Sequence, residues 1–209
     1  MPKNRLLNPA QSGGVVFSVF WAITLENVMD NMSLPKTALL IIDMQQGLFY
    51  ADAPPFNREQ VLNNINLLIA NAREVGAPIW AVRHTGPEGS PIAAGTANWQ
   101  LIESLAINPQ LDNIFDKTKP SCFYQTGLAE ALTHEGIGEL VIVGMKTQYC
   151  IDTTCRIAAE LGWQVVLAAD AHTCMDTGPL SAEAIIAHHN ATLQGAFVRL
   201  AKSADIEFR

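Results

Sequence analysis

Two short runs of apolar residues constrain the fold of this chain more than any other feature. Residues 37–43 read TALLIID and residues 140–143 read LVIV, and both runs are rich in the aliphatic residues that favour strands. Neither run alternates apolar with polar residues, so both faces of each predicted strand would be buried. Strands of this kind lie in the middle of a parallel sheet that is covered on both faces. The chain is therefore predicted to contain such a sheet.

Strand-like and helix-like segments alternate along the rest of the chain. Strands are predicted at residues 37–43, 78–83, 113–116, 139–143 and 163–169, with 206–208 as a last edge strand. Helices are predicted at residues 57–75, 99–105, 125–134 and 151–161, and from Ser181 to about Val198, and a long loop at 85–98. This order predicts an α/β fold: a three-layer, doubly wound, mainly parallel sheet with helices on both faces.

Composition and charge narrow the range of partners. Of the 209 residues, 49% are hydrophobic and 16% are charged, which is typical of a globular protein with a large core. The net charge of −7, with scattered basic residues, argues against nucleic acid or a membrane surface as a partner. No apolar run approaches the length of a transmembrane helix. The four cysteines show no CxxC spacing, which predicts reduced thiols in a cytoplasmic protein.

The first 31 residues differ from the rest. Lys3 and Arg5 precede an apolar stretch at 15–25, which has the outline of a signal peptide, but the expected small-residue cleavage site is missing. Met32 lies just before the first predicted strand. Residues 1–31 are interpreted as an N-terminal extension, either weakly ordered or the product of a start codon assigned too early. Residues 32–209 are interpreted as one domain.

Cys150 is a candidate nucleophile because of where it lies between a predicted strand and a predicted helix. A turn at 146–149 follows the strand, so Cys150 falls at or near the first turn of the next helix. Free backbone N–H groups and the positive end of the helix dipole would favour the nucleophilic thiolate there. The same N–H groups could stabilise an oxyanion. The alternative is that Cys150 is a small buried apolar residue.

Two further reactive side chains, Asp43 and Lys117, follow predicted strands. Ligands of a doubly wound sheet bind outside the carboxyl ends of its strands, so Asp43, Lys117 and Cys150 would meet there. A cation lowers the pKa of a nearby thiol, and a carboxylate can take the thiol proton and later protonate a leaving amine. Alternatives remain: Asp43 could cap a turn, Lys117 could be a solvated lysine, and Lys119 competes for the same role.

Four segments resemble motifs of the isochorismatase-like cysteine hydrolases, which include nicotinamidases, N-carbamoylsarcosine amidohydrolases and streptothricin hydrolase. They are LLIIDMQQGLF at 39–49, KTKPSCF at 117–123, GMKTQYCIDTTCRIA at 144–158 and AADAHT at 168–173. The resemblance implies an isochorismatase-like, Rossmann-like fold and a catalytic triad of Asp43, Lys117 and Cys150. It favours Lys117 over Lys119, because the family lysine stands four residues before the serine of a short motif that reads SCF here.

The resemblance also implies details of the site. A non-proline cis peptide between Met145 and Lys146 would aim the backbone N–H of Lys146, together with that of Cys150, at an oxyanion. Some relatives bind a metal through an Asp-x-His motif, but residues 83–90 supply only His84 and no aspartate. No metal and no cofactor are therefore predicted, and His84 is interpreted as a packing or hydrogen-bonding residue at a strand end. Relatives are usually homodimers or homotetramers, and the same assembly is implied here.

Five residues are predicted to contact the substrate. Phe49, Trp99 and Tyr149 could form an apolar pocket wall, with core packing as the alternative. Gln148 lies in the turn before the nucleophile, where it could make a polar contact. His172 lies just past the fifth predicted strand and could line the pocket or cap a turn.

The residues and the resemblance together predict a cysteine-dependent hydrolase that cleaves an amide-type C–N bond of a small molecule through a covalent thioester. Two alternatives belong to other classes. A thiol redox or sensor protein would use Cys150 as its peroxidatic cysteine, and the lack of a clear resolving cysteine argues against it. A catalytically silent binding module is the other, and the intact Asp–Lys–Cys set argues against that.

Overall fold

A six-stranded sheet forms the centre of the fold in a computed structural model that describes residues 34–209. Its strands are β1 Lys36–Ile42, β2 Ile79–His84, β3 Asn113–Lys117, β4 Ile137–Met145, β5 Gln164–Thr173 and β6 Arg199–Ala201. Their order is β3-β2-β1-β4-β5-β6, and each neighbouring pair is parallel. This order confirms the predicted doubly wound α/β fold. The predictions for residues 1–31 lie outside the described residues.

Helices connect the strands. They are α1 Gln46–Phe49, α2 Arg58–Glu74, α3 Leu128–His134, α4 Asp152–Glu160 and α5 Ala182–Leu193. A π-helical turn, Thr147–Ile151, comes directly before α4, and short 3-10 turns cover Ala97–Trp99 and Ser203–Asp205. Within residues 34–209, no helix is both long and apolar enough to cross a bilayer.

Strand β1 is buried on both faces, as its continuous apolar run predicts. Leu39 and Ile41 belong to a core cluster that includes the apolar face of α2. Leu40 and Ile42 belong to a second cluster, which includes residues of α3, α4 and α5. Alternate residues of a strand point to opposite faces of the sheet, so the two clusters are the two layers of helix-on-sheet packing. Helices therefore cover both faces of the sheet.

Two helix ends show the capping geometry that their residue types favour. Gly76 follows α2 with a φ of 72°, and its N–H donates to the carbonyl of Arg73 at 3.2 Å. The next N–H, of Ala77, donates to the carbonyl of Ala72 at 2.8 Å. This pair of bonds is a Schellman motif, and it favours glycine because the φ is positive. At the start of α5, the Ser181 hydroxyl accepts a bond from the N–H of Ala184, as an N-cap does.

The helix predicted at residues 99–105 is wrong. Leu101 forms an isolated antiparallel bridge with Gln45, and the N–H of Ile102 donates to the carbonyl of Met44 at 3.0 Å. Residues 100–102 thus run along the chain that follows β1, and the N–H of Leu105 donates to the carbonyl of Ile102 to close a turn instead of continuing a helix.

The edge strand predicted at residues 206–208 is also wrong. Ile206 and Phe208 are buried in the α2 cluster, but the edge beside β5 is already occupied by β6. The sixth strand forms earlier because α5 ends at Leu193 and not near Val198. Gly195, with a φ of 81°, turns the chain there, and its N–H donates to the carbonyl of Val198.

Candidate active site

Four polar side chains meet at the carboxyl ends of neighbouring strands. Asp43 directly follows β1, His84 ends β2 and Lys117 ends β3, while Cys150 lies in the π-helical turn after β4. His84 and Lys117 are register partners in adjacent parallel strands, so their side chains leave the same face of the sheet. The sheet order therefore brings together residues that are far apart in the sequence.

A glycine allows β1 and β4 to approach closely beside this cluster. Gly144 has a φ of 116° and pairs with Ile42 across the two strands. A Cβ atom at position 144 would lie 2.1 Å from the carbonyl oxygen of Ile42. Asp43, the next residue, has a φ of 53°, and its N–H donates to the carbonyl of Val82 at 3.0 Å. The chain therefore leaves β1 in a conformation that ties the backbone of Asp43 to β2.

The ammonium group of Lys117 is the centre of the cluster. It lies 2.8 Å from Oδ2 of Asp43, 3.2 Å from Sγ of Cys150 and 3.2 Å from Nδ1 of His84. It also donates to the carbonyl of Lys119 at 3.2 Å. The Lys117 side chain is fully buried, whereas Lys119 is exposed. Of the two lysines that the sequence offered, Lys117 is thus the one beside Asp43 and Cys150.

Burial and charge have opposite effects on the pKa values of Asp43 and Lys117. Burial raises the pKa of Asp43 above its usual value, and the attraction of Lys117 only partly offsets that effect. Burial disfavours the ammonium of Lys117, but the negative charge of Asp43 opposes burial, and the pKa of Lys117 lies above its usual value. Lys117 is therefore a permanent cation, and Asp43 is a stronger base than an exposed aspartate.

The Cys150 thiol is protonated in the free protein, contrary to the expectation of a thiolate. Burial, followed by the charge of Asp43, raises its pKa to about 12, and Lys117 offsets only part of this. Only 8% of the residue is exposed, so a thiolate would lose most of its hydration. The helix-end argument is outweighed because Cys150 lies in a buried turn before α4. A base is therefore needed to ionise the thiol.

His84 is a hydrogen-bonding residue at the end of β2, as its position in the sequence predicts, and it belongs to the cluster. Burial, and next the charge of Lys117, lower the pKa of its imidazole, so it is neutral and can accept a bond from Lys117 at Nδ1. Gln45, which is fully buried, holds the His84 backbone by accepting from its N–H and donating to its carbonyl. The sequence feature that points to a place for His84 in the cluster is its position at the end of the strand beside the one that carries Lys117.

The turn that carries Cys150 has the cis peptide that the resemblance implies, between Met145 and Lys146. The carbonyl of Lys146 accepts bonds from the N–H groups of Tyr149 and Ile151 at 3.1 and 3.3 Å. These bonds close the turn and orient the peptide unit between Lys146 and Thr147.

The cluster resembles a metal site in one respect. Asp43, His84 and Cys150 each offer a ligand atom, and these atoms lie within 4.8 Å of one another. However, the Lys117 ammonium contacts all three side chains. A metal ion there would face this positive charge at short range, and the lysine already supplies the cation that the three groups surround.

A cavity of about 220 Å³ opens onto the cluster. Asp43, His84, Cys150 and Lys146 line it together with four largely apolar residues, Leu48, Ile92, Pro120 and Tyr149. Two cavities of about 560 and 510 Å³ lie elsewhere, but neither is lined by Asp43, Lys117 or Cys150. The smaller cavity is the one that adjoins reactive groups, so it is the candidate substrate site.

The five predicted substrate contacts have different positions. Tyr149 lines the cavity. Phe49 is fully buried in the core, as the alternative interpretation held. Trp99 is partly buried, and its indole N–H donates to Thr85 at 2.8 Å. Neither these two nor Gln148 is among the residues that line the cavity.

His172, for which pocket lining and turn capping were the two alternatives, lies within the fifth strand and is not among the residues that line the cavity. Strand β5 continues to Thr173, and only 1% of His172 is exposed. Its Nδ1 lies 2.9 Å from the hydroxyl of Thr147, and its Nε2 lies 2.8 Å from Oδ1 of Asn190. Both ring nitrogens are satisfied within the protein, so neither is available to a ligand.

Comparison with known proteins supports the resemblance. The isochorismatase domain model matches residues 37–202. A streptothricin hydrolase of Streptomyces noursei is 34% identical over 140 residues, which cover 66% of this chain and 50% of that protein. The chain therefore spans half the length of that relative.

Two more relatives match over most of their length. A secreted isochorismatase effector of Verticillium dahliae is 30% identical over 175 residues, which cover 83% of this chain and 92% of the effector. The crystal structure of an isochorismatase family protein is 36% identical with a TM-score of 0.74, and the match covers 79% of this chain and 98% of that one. With most of its length matched by the family model, the chain belongs to the isochorismatase domain family.

Proposed function

We propose that this protein is a hydrolase that cleaves an amide-type C–N bond of a small molecule through a thioester on Cys150. One observation carries the proposal. The Oδ1 atom of Asp43 is buried and has no hydrogen-bond partner among residues 34–209, while a carboxylate oxygen of Asp43 lies within 4.8 Å of the Cys150 sulfur. A free carboxylate oxygen beside a protonated thiol can act as the base that ionises it.

Acylation begins when Asp43 takes the thiol proton as the sulfur attacks the amide carbon. The new C–S bond forms while the electron pair of the C=O bond moves to oxygen, which gives a tetrahedral oxyanion. The Lys117 ammonium, 3.2 Å from the sulfur, stabilises the negative charge on sulfur until that bond is made. Because the pKa of the resting thiol is about 12, proton transfer and attack are closely linked.

The oxyanion needs two positioned donors, and the backbone N–H groups of Lys146 and Cys150 are proposed for this role. Both residues line the cavity. The hydrogen bonds that close the turn through the carbonyl of Lys146 support the proposal, because they fix the backbone before the substrate binds. Donors that are fixed in advance need no reorganisation when the charge develops.

Collapse of the oxyanion breaks the C–N bond, and Asp43 returns its proton to the departing amine or ammonia. The acyl group remains on Cys150 as a thioester. Asp43 next takes a proton from water while the hydroxide oxygen adds to the thioester carbon. Collapse of this second intermediate breaks the C–S bond, the proton returns to sulfur, and a carboxylic acid leaves.

The cavity limits the substrate to a small molecule. Its volume of about 220 Å³ is below the usual range for drug-sized ligands, and half of its lining residues are largely apolar. Such a site fits a compact acyl group better than a long or highly charged one. The hydrolase activity in the name of the Streptomyces relative is compatible with this proposal.

The proposal is tested by measuring ammonia or amine release from small amides, lactams, ureides and nicotinamide. Asp43→Asn removes the base, so we expect kcat to fall by about a thousandfold, within the range for loss of a general base. Asp205→Asn, on the exposed surface, is the matched control and keeps the wild-type rate. Hydrolysis by Asp43→Asn at the rate of the control would contradict the proposal.

The redox alternative has less support. A peroxidatic cysteine reacts as a thiolate, but burial keeps the Cys150 thiol protonated. The other cysteines are free and fully buried, and burial raises the pKa of Cys122, Cys155 and Cys174. These features argue for a thiol that is activated only by a neighbouring base.

A further inference from the structure

A chain of buried polar groups connects helix α5 with the turn that carries the nucleophile. Asn190 of α5 lies 2.8 Å from Nε2 of His172, and Nδ1 of His172 lies 2.9 Å from the hydroxyl of Thr147. Thr147 is the first residue of the π-helical turn, and it directly follows Lys146. The contacts thus join three separate elements: α5, β5 and the turn.

The hydrogen bonds in this chain have one consistent direction. Burial lowers the pKa of His172 to about 4, so the imidazole is neutral and carries one proton. The side-chain amide of Asn190 donates to the carbonyl of Ala169 at 3.4 Å, which leaves its oxygen to accept from Nε2–H of His172. Nδ1 then accepts from the hydroxyl of Thr147. All the side-chain contacts are compatible with this single arrangement.

A second contact from α5 reaches the other end of the same turn. His189, adjacent to Asn190, lies with its Nδ1 3.1 Å from Oδ1 of Asp152, the first residue of α4. Arg156 also donates to both oxygens of this carboxylate, at 2.9 and 3.0 Å. Two neighbouring residues of α5 therefore hold the two flanks of the five-residue turn, one through Thr147 and the other through Asp152.

A turn of this kind depends on such contacts for its shape. Its hydrogen bonds do not follow the i→i−4 pattern, and π-helical turns are associated with functional sites. The turn carries the sulfur of Cys150. It begins directly after Lys146, whose N–H is one of the two proposed oxyanion donors. A displacement of about 1 Å between reacting groups can reduce the rate about a hundredfold.

We propose that α5 is a clamp on the nucleophile turn, with Thr147 and His172 as positioning residues for Cys150 and the oxyanion donors. The inference rests on the proposed function and adds to it a role for groups that do not contact the substrate. The polar chain satisfies buried groups in any case, so its functional role predicts an effect on chemistry that exceeds the effect on stability.

The decisive variant is Thr147→Val, which keeps the shape of the side chain and removes the hydroxyl. We expect kcat to fall about tenfold or more and KM to change less than about twofold. The reason is that the variant disturbs the geometry of acylation and leaves substrate binding intact. Thr37→Val is the matched control: Thr37 is also fully buried and donates to Glu139, but it lies at the opposite end of β1. The control loses stability and keeps kcat within about twofold.

Rescue at His172 separates positioning from packing. His172→Gln offers both a donor and an acceptor and is expected to retain most of kcat, whereas His172→Leu loses both and behaves like Thr147→Val. Equal kcat in all these variants, with folding confirmed by urea titration, would overturn the clamp. So would a loss of kcat in Thr37→Val as large as that in Thr147→Val.

A measurement that does not depend on substrate turnover tests the clamp separately from the proposed hydrolase function. The rate of Cys150 alkylation by iodoacetamide is measured for wild type, Thr147→Val and Thr37→Val. A changed rate in Thr147→Val alone supports the clamp, even if no amide in the panel is hydrolysed. An unchanged rate together with an unchanged kcat contradicts the clamp and leaves the hydrolase proposal standing.

Discussion

The Lys117 ammonium lies 2.8 Å from only one of the two carboxylate oxygens of Asp43. The other oxygen, Oδ1, is buried and has no partner among the described residues. The ion pair thus keeps the carboxylate in place and leaves one of its oxygens free for a proton. The combination of an anchored carboxylate and a free oxygen is what a general base in a buried site requires.

Removing the cation from this pair is expected to destabilise the protein. Lys117→Met leaves a buried carboxylate without its partner, and such changes cost about 3–5 kcal/mol of unfolding free energy. Asp43→Asn in the same chain removes the unpaired charge, so the double variant should recover much of the loss. Urea unfolding of the four proteins measures the coupling. Simple additivity of the two single changes would contradict a direct interaction.

The pH dependence of activity should reflect the raised pKa of Asp43. As a base, Asp43 must be ionised, so kcat/KM rises as pH rises through the pKa of its carboxyl in the free enzyme. Burial raises this pKa from 3.8, so the acidic limb should lie above pH 3.8. The profile is measured with an uncharged amide, so that substrate ionisation does not contribute. An acidic limb at or below pH 3.8 would show that burial does not control this group.

The stability of the fold should depend on pH through His172. The unfolded chain binds a proton here below about pH 6.5, but burial lowers the pKa in the folded protein to about 4. The unfolded state therefore binds more protons between these values, and stability falls as pH falls across this window. The difference corresponds to a loss of about 3 kcal/mol when pH 4 is reached.

His172→Gln provides the comparison, because glutamine can keep both hydrogen bonds and does not titrate. The unfolding free energy of the variant should fall less steeply than that of the wild type between pH 6.5 and 4. Parallel curves would mean that His172 contributes nothing to the acid sensitivity.

The close approach of β1 and β4 makes Gly144 intolerant of a side chain. In Gly144→Ala, the new Cβ would lie 2.1 Å from the carbonyl oxygen of Ile42, and the φ of 116° is unfavourable for alanine. We expect a loss of about 3 kcal/mol or more, or no soluble protein. Gly178→Ala is the control, since nothing lies within 4 Å of its Cβ position, and it should change stability by about 0.5 kcal/mol or less. Similar melting temperatures for the two variants would contradict the tight contact.

Much of the fold could be predicted because its central strands carry a strong signal. The run at 37–43 is apolar on both faces, and that pattern has few explanations other than a buried parallel strand. The segment at 99–105 has apolar residues at spacings that suit a helix, but the backbone groups of Gln100 and Ile102 bond to Gln46 and Met44. A pairing between distant segments of this kind cannot be read from local sequence.

The sequence predicted which residues form the site better than it predicted the ionisation of their side chains. Strand ends and motif spacing point to Asp43, Lys117 and Cys150, and these side chains do lie together. The ionisation of Cys150 was misjudged because helix position is visible in the sequence, whereas the extent of burial is a property of the packed structure. His172 was misplaced because β5 continues further than its apolar run. The predicted homodimer or homotetramer and the cytoplasmic location stay predictions.

The most direct test of the proposed mechanism is intact-protein mass spectrometry. Wild type and Cys150→Ala are each mixed with the same panel of amides, and the reactions are stopped rapidly with acid. We expect an added mass equal to the acyl group of the substrate in the wild type and none in Cys150→Ala, which stays folded. The thioester exists only if the Cys150 sulfur attacks the carbonyl carbon. Turnover by Cys150→Ala at the wild-type rate, or the same adduct on both proteins, would contradict nucleophilic attack by Cys150.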